Sequence, residues 1–134
     1  MGRYGIDWSK GQKNLTDEDW NTVLTETTKI IDKNESVREV AFSLNDRGIY
    51  YEEIEEFEKA ISDLDYAIKL IPNFAYAFFN RGHTYWSMKQ YDKALADFNE
   101  ALHLYLTLQG TEKSIEKTKK AIKMILKEKE ANNG

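Results

Sequence analysis

The chain has 134 residues, 41% hydrophobic and 31% charged, with one proline and seven glycines; that is one globular domain with little room for long linkers or low-complexity tracts. It has no cysteine, which excludes disulfides, thiolate nucleophiles and cysteine-ligated zinc, and its formal charge of −4 argues against a nucleic-acid partner, since neutralising phosphates takes a basic surface. No stretch approaches the roughly 18 uncharged residues of a membrane span and no signal-peptide core opens the chain, so the expected setting is cytoplasmic with no membrane partner.

Residues 1–14 carry Gly2, Gly5 and Gly11 with no sustained period and are expected to form a flexible N-terminal arm, ahead of a single domain over 15–134. Thr16 followed by Asp19 reads as a helix start with a capping box, and Trp20, Val23, Leu24, Thr27, Ile30 and Ile31 follow at helical spacing, predicting a helix over 16–33. Ser36 with Glu39 forms a second capping signal ahead of a stripe of Val37, Val40, Ala41, Leu44, Gly48 and Tyr51. Near Ile54 to Glu56 the phase shifts, and Phe57, Ala60, Ile61, Leu64, Ala67, Ile68 and Ile71 form the next stripe, ended by Pro72, which cannot continue a helix. A third stripe, Ala75, Phe78, Gly82 and Tyr85, turns near Lys89 and Gln90 into a fourth, from Tyr91 through Phe98 to about Leu108. After Gly110, Thr111 starts a last helix over 112–130, with Ile115, Thr118, Ile122, Ile125 and Leu126 expected inward and lysines outward. The expected fold is all-α, about six helices whose short connections set neighbours antiparallel.

Two stretches of the chain nearly coincide. Arg47, Gly48, Tyr51, Lys59, Ala60, Asp63, Ala67 and Leu70 recur as Arg81, Gly82, Tyr85, Lys93, Ala94, Asp97, Ala101 and Leu104, each 34 residues later with no gap. A fixed period of that size marks a stacked repeat.

The repeat resembles the tetratricopeptide repeat (TPR) family, whose pattern is W-x₂-L-G-x₂-Y, then A-x₃-F, then P. The first copy, 41–74, offers Leu44, Arg47, Gly48, Tyr51, Ala60, Leu64 and Pro72; the second, 75–108, offers Phe78, Arg81, Gly82, Tyr85, Ala94 and Phe98, with Leu106 in place of proline. Arg47 and Arg81 stand where leucine is usual, and Glu55 and Lys89 at a turn position often held by glycine. The resemblance implies a right-handed α-solenoid of helix hairpins. Helix 16–33 then reads as the second helix of a degenerate repeat and 112–130 as the solubilising cap that such stacks need.

In this family the first helix of each repeat lines a concave face. Carried onto this chain, the ligand-facing residues are Phe42, Asn45, Ile49 and Glu52 in the first copy and Tyr76, Phe79, Asn80, His83 and Trp86 in the second. Some family members clamp a chaperone's C-terminal carboxylate there. Asn80 matches that clamp's middle asparagine, but Asn45 and Ile49 replace its first Lys and Asn, so Lys113 and Lys117 alone do not restore it. The aromatic residues serve as anchors for a peptide or protein surface, unless the first or last helix or the arm folds over them. Glu52 and Glu53 would favour basic flanks on the partner.

No glycine-rich phosphate loop, nucleophile elbow or metal-spaced cluster is present, and the histidines, His83 and His103, stand on different helices. The expectation is a non-enzyme with no catalytic, cofactor or metal residues: a protein-protein interaction module, adaptor or chaperone-like, a monomer or weak homodimer. The alternatives are a dedicated inhibitor or immunity-type protein masking one toxin or enzyme, and a self-assembling structural protein.

Overall fold

The computed structural model describes residues 3–133. Among them are six α-helices and no strand: α1 (Asp17–Lys33), α2 (Val37–Glu53), α3 (Phe57–Leu70), α4 (Ala75–Ser87), α5 (Tyr91–Leu106) and α6 (Glu112–Asn133). The caps follow the sequence signals. Thr16 Oγ1 accepts from the Asp19 N–H at 3.0 Å while Asp19 Oδ2 accepts from the Thr16 N–H at 2.9 Å, satisfying two donors the first turn would otherwise leave open. Ser36 Oγ accepts from the Glu39 N–H at 3.4 Å, without the reciprocal half of the box.

α2 packs on α3 and α4 on α5, forming two hairpins that stack through α3 and α4. The 34-residue period reappears as paired chemistry. Arg47 Nε and Nη2 grip Asp63 at 2.7 and 2.8 Å, and Arg81 Nε and Nη2 grip Asp97 at 2.8 and 2.7 Å; a planar guanidinium fork matches a carboxylate in this bidentate way. The arginines that depart from the family's leucine therefore tie the two helices of each hairpin together. The Lys59 ammonium lies 5.6 Å from the Tyr51 ring and that of Lys93 5.4 Å from the Tyr85 ring, a cation–π contact repeated in each hairpin.

Glycine is required where the helices cross. A Cβ on Gly48 would meet Leu64 Cγ at 2.9 Å, and one on Gly82 would meet Asp97 Cβ at 3.2 Å and the Ala94 carbonyl at 3.3 Å. At each hairpin turn, by contrast, a residue with a side chain takes the left-handed conformation: φ is 60° at both Glu55 and Lys89, the position the family often gives to glycine.

The core between the hairpins is Val40, Ala41 and Leu44 of α2, Leu64 and Ala67 of α3, and Phe74 and Ala77 at the start of α4. A second cluster joins Ala94 and Phe98 of α5 to Ala121 and Ile125 of α6. Two expected core positions lie elsewhere. Val37 is 58% exposed in the first turn of α2, where it borders an open concavity with Ile71, and Leu126 is 51% exposed, because α6 buries the face of Thr118, Ala121 and Ile125.

The segment expected as a flexible arm packs down. Its described part runs as three single 3₁₀ turns, Arg3–Gly5, Trp8–Lys10 and Gln12–Asn14. Ile6 and Leu15 are buried with Val23 of α1, each contributing about 2 kcal/mol by apolar burial. Trp8 meets Trp20 edge to face at 6.4 Å. The arm thereby gives α1 the packing partner that its missing hairpin helix would have been. Met1 and Gly2 lie outside the described residues.

Candidate functional site

α2 and α4 are the first helices of the two hairpins and α6 follows them in the stack; their neighbouring faces border a cavity of about 220 Å³. α2 contributes Asn45 and Ile49, α4 contributes Tyr76, Phe79 and Asn80, α6 contributes Ser114 and Lys117, and the arm closes one side with Gln12. Asn80 Nδ2 donates to Asn45 Oδ1 at 2.9 Å, so the two amides form one polar floor bridging the repeats. Lys117 Nζ sits 5.4 Å from the Phe79 ring centre. Among the described residues no carboxylate forms an ion pair with it. The buried Tyr105 also lines the cavity, and burial raises the pKa of its hydroxyl, opposed by a hydrogen bond with Ser114.

Toward the start of α2, the arm covers the groove. Arg3 Nη1 donates to Asp46 Oδ2 at 2.5 Å and Tyr4 Oη to the same oxygen at 2.7 Å. Burial pushes the Asp46 carboxyl upward, opposed by the Arg3 guanidinium and the Tyr4 hydroxyl; Tyr4 is raised by its own burial and by the Asp46 charge. Arg3 also lies 5.1 Å from the centre of the Phe42 ring, with Arg38 at 5.2 Å, and Phe42 packs edge to face on Phe74 at 4.9 Å.

At the other end of the same helices, Glu52 Oε1 accepts from Ser87 Oγ at 3.1 Å and contacts His83 Nδ1 at 2.5 Å. Glu53 Oε1 accepts from Gln12 Nε2 at 3.0 Å. Trp86 is drawn under α6: its ring packs against Phe98 at 6.3 Å, and Nε1 donates to Glu128 Oε2 at 2.9 Å.

The nine residues expected to face a ligand therefore divide. Asn45, Ile49, Tyr76, Phe79 and Asn80 share the central cavity; Phe42 lies beside it under two arginines; Glu52 and His83 pair with each other; and Trp86 packs between helices. Tyr76 is half exposed, with its inner edge on Tyr105 at 5.4 Å. The 34-residue comparison had nothing to say of Gln12 or Ser114, since both lie outside the two copies. Asp46 was legible by that comparison, because it is the first copy's counterpart of Asn80. Among the described residues no group of three His, Asp or Glu side chains is placed to hold a metal, and no helix is long and apolar enough to cross a membrane.

Residues 75–106 match the family model of the tetratricopeptide repeat. No curated protein sequence matches the chain. Among solved structures, the TPR2B domain of yeast Sti1 in its pHsp70 complex superposes with a TM-score of 0.74 at 21% identity, covering 90% of this chain and 93% of that one. The first TPR of Spaghetti (RPAP3), bound to the HSP90 peptide SRMEEVD, gives 0.61 at 20% identity over 85% and 88%. The first TPR domain of human RPAP3 gives 0.63 at 19% identity over 89% and 91%. At these identities the likeness is one of fold.

Proposed function

We propose that this chain, a stack built on tetratricopeptide repeats, is a non-catalytic protein-interaction module, adaptor or chaperone-like, that holds an extended acidic peptide segment across α2, α4 and α6. The observation that carries the reading is the central cavity, where two linked amides and a lysine without a carboxylate partner converge from three helices. An extended peptide brings unpaired N–H and C=O groups, and an Asn side chain offers both a donor and an acceptor to meet them. Tyr76 adds an aromatic surface able to anchor a side chain.

The sign of the charge follows from which groups are already engaged. Glu52 is occupied by His83 and Ser87, and Glu53 by Gln12, whereas Lys117 has only a ring beneath it. A preference for acidic residues or a terminal carboxylate thus replaces the basic flanks expected from sequence. The HSP90 peptide bound to the RPAP3 domain, and the pHsp70 complex of the Sti1 domain, support a peptide as the ligand. Asn45 and Ile49 put no cation at their two positions of the first repeat, so the positive charge in the cavity is that of Lys117, beside the amides of Asn45 and Asn80.

Isothermal titration calorimetry with SRMEEVD, its C-terminal amide and a version with Lys for each acidic residue tests the reading. Saturable binding of the acidic peptide, weakened at least tenfold by Lys117→Glu, is expected, with no binding of the Lys version. Equal binding to wild type and Lys117→Glu would overturn it, as would preference for the Lys version.

A further inference from the structure

Beside the central cavity lies a second, larger one of about 600 Å³ at the end of the molecule where α2 and α4 begin. Val37, Phe42, Ile71, Phe74, Tyr76 and Leu108 form its walls. Three of these, Val37, Tyr76 and Leu108, are 58%, 50% and 52% exposed. Isolated exposed apolar residues are ordinary, but three converging on one concavity of the size that holds ligands are not. Its aromatic walls are held in place by packing: Phe42 lies edge to face on Phe74, and Tyr76 rests on Tyr105 behind it.

Two features say what kind of group fits. Tyr76 belongs to both cavities, so a chain seated at Lys117 continues past Tyr76 into the apolar one. Among the residues that wall the apolar cavity, the one carrying charge is Arg38, and among the described residues it is in no ion pair. Arg3, on the same Phe42 ring, is neutralised by Asp46. The rim charge left to a ligand is positive, complementing the same sign of ligand as Lys117 does.

We propose that this cavity is a specificity pocket for a bulky apolar side chain, aromatic or long aliphatic, carried between acidic residues on the segment that the groove binds. The proposal rests on the reading of the groove as a peptide site and adds what selects the peptide: the central amides and Lys117 take backbone and charge, and the pocket discriminates among sequences by apolar size. Burying one large side chain in an apolar pocket is worth enough to separate Phe from Ala by tenfold or more.

The test uses three fluorescein-labelled heptapeptides in fluorescence anisotropy: six Glu around a central Phe, the same with central Ala, and six Lys around Phe. On the wild-type chain the Glu–Phe peptide is expected to bind at least tenfold more tightly than the Glu–Ala peptide. The Val37→Ser, Leu108→Ser double variant, whose changes are at exposed positions and whose folding is checked by circular dichroism, should cut that ratio below threefold and leave the Glu–Ala affinity unchanged. Lys117→Glu should weaken both acidic peptides and preserve their ratio. Equal affinities for Glu–Phe and Glu–Ala on the wild type overturn the pocket. A full ratio with no response to Lys117→Glu supports the pocket and overturns the groove reading instead. Tighter binding of the Lys–Phe peptide overturns the acidic flank. A wild-type dimer in light scattering that the double variant converts to monomer means that a second copy fills the cavity, and overturns the proposal.

Discussion

The two repeats share their scaffold and differ on the face they present. Behind the groove, Arg47 and Asp63 match Arg81 and Asp97, Lys59 and Tyr51 match Lys93 and Tyr85, and both turns carry φ of 60° on a residue with a side chain. In front, Phe42, Asn45, Asp46, Ile49 and Glu52 face Tyr76, Phe79, Asn80, His83 and Trp86 in the equivalent places, and not one pair is identical. The first repeat's front is covered by the arm through Asp46, and the second's is partly covered by α6 through Phe79 and Trp86. Helix packing tolerates few choices where two helices interlock, whereas a surface is free to differ. A cavity survives where the two covers fail to meet.

Breaking the shared scaffold should therefore hurt both repeats, in proportion to what each position touches. The largest effect is expected at the equivalent core positions Phe98 and Leu64, both wholly buried. Phe98→Ala should cost about 4 kcal/mol and Leu64→Ala about 3 kcal/mol, measured by urea unfolding. Equal costs would show that the second core is no more dependent on its aromatic than the first on its leucine.

Next come the arginines. Arg47→Met should cost about 2 kcal/mol, for two charged hydrogen bonds and a largely buried carboxylate left alone. Arg81→Met should cost a further ~0.5 kcal/mol, because Arg81 Nη1 also reaches Asp65 at 2.9 Å and that carboxylate is exposed. Urea midpoints distinguish the two, and Asp65→Asn should remove the difference.

Smaller still is the turn. Glu55→Gly and Lys89→Gly should each stabilise by about 0.5 kcal/mol, since relief of the left-handed strain exceeds glycine's added entropy in the unfolded chain. Matching gains in thermal unfolding would confirm that the turns are equivalent; a loss at either would mean that its side chain contributes in the folded state.

The smallest effect separates the repeats by pH. Burial lifts the Asp46 carboxyl above its ordinary 3.8, so folding favours its protonated form. The stability this contributes is complete below that value and is lost as pH rises through the lifted pKa. Relative to Asp46→Asn, the wild type should lose stability across that acid window and hold level above it. A stability difference that does not change with pH would mean that Asp46 titrates in the folded protein as it does in the unfolded chain.

The scaffold was legible because a 34-residue period in one chain exposes every position that packing fixes: Gly48 with Gly82, Ala60 with Ala94, and the arginines with their aspartates. The arm was not legible. Between Ile6 and Leu15 stand Trp8, Gly11 and otherwise polar residues, so no helical or alternating period marks the two as core, and they are buried with Val23 of another element. The front of the groove was half legible. The family resemblance placed Asn45, Ile49, Tyr76, Phe79 and Asn80 on one face, but Trp86 and Glu52 are spent on partners, Glu128 and His83, that neither the resemblance nor a local period announces.

On the proposed reading, a peptide sits on the face shared by α2, α4 and α6. Its most direct test is an amide-resolved NMR titration of the ¹⁵N-labelled chain with SRMEEVD. The shifts are expected to cluster at Asn45, Ile49, Tyr76, Asn80, Ser114 and Lys117 and to vanish in Lys117→Glu. Shifts confined to α1, α3 and α5, or a pattern that Lys117→Glu leaves intact, would contradict it.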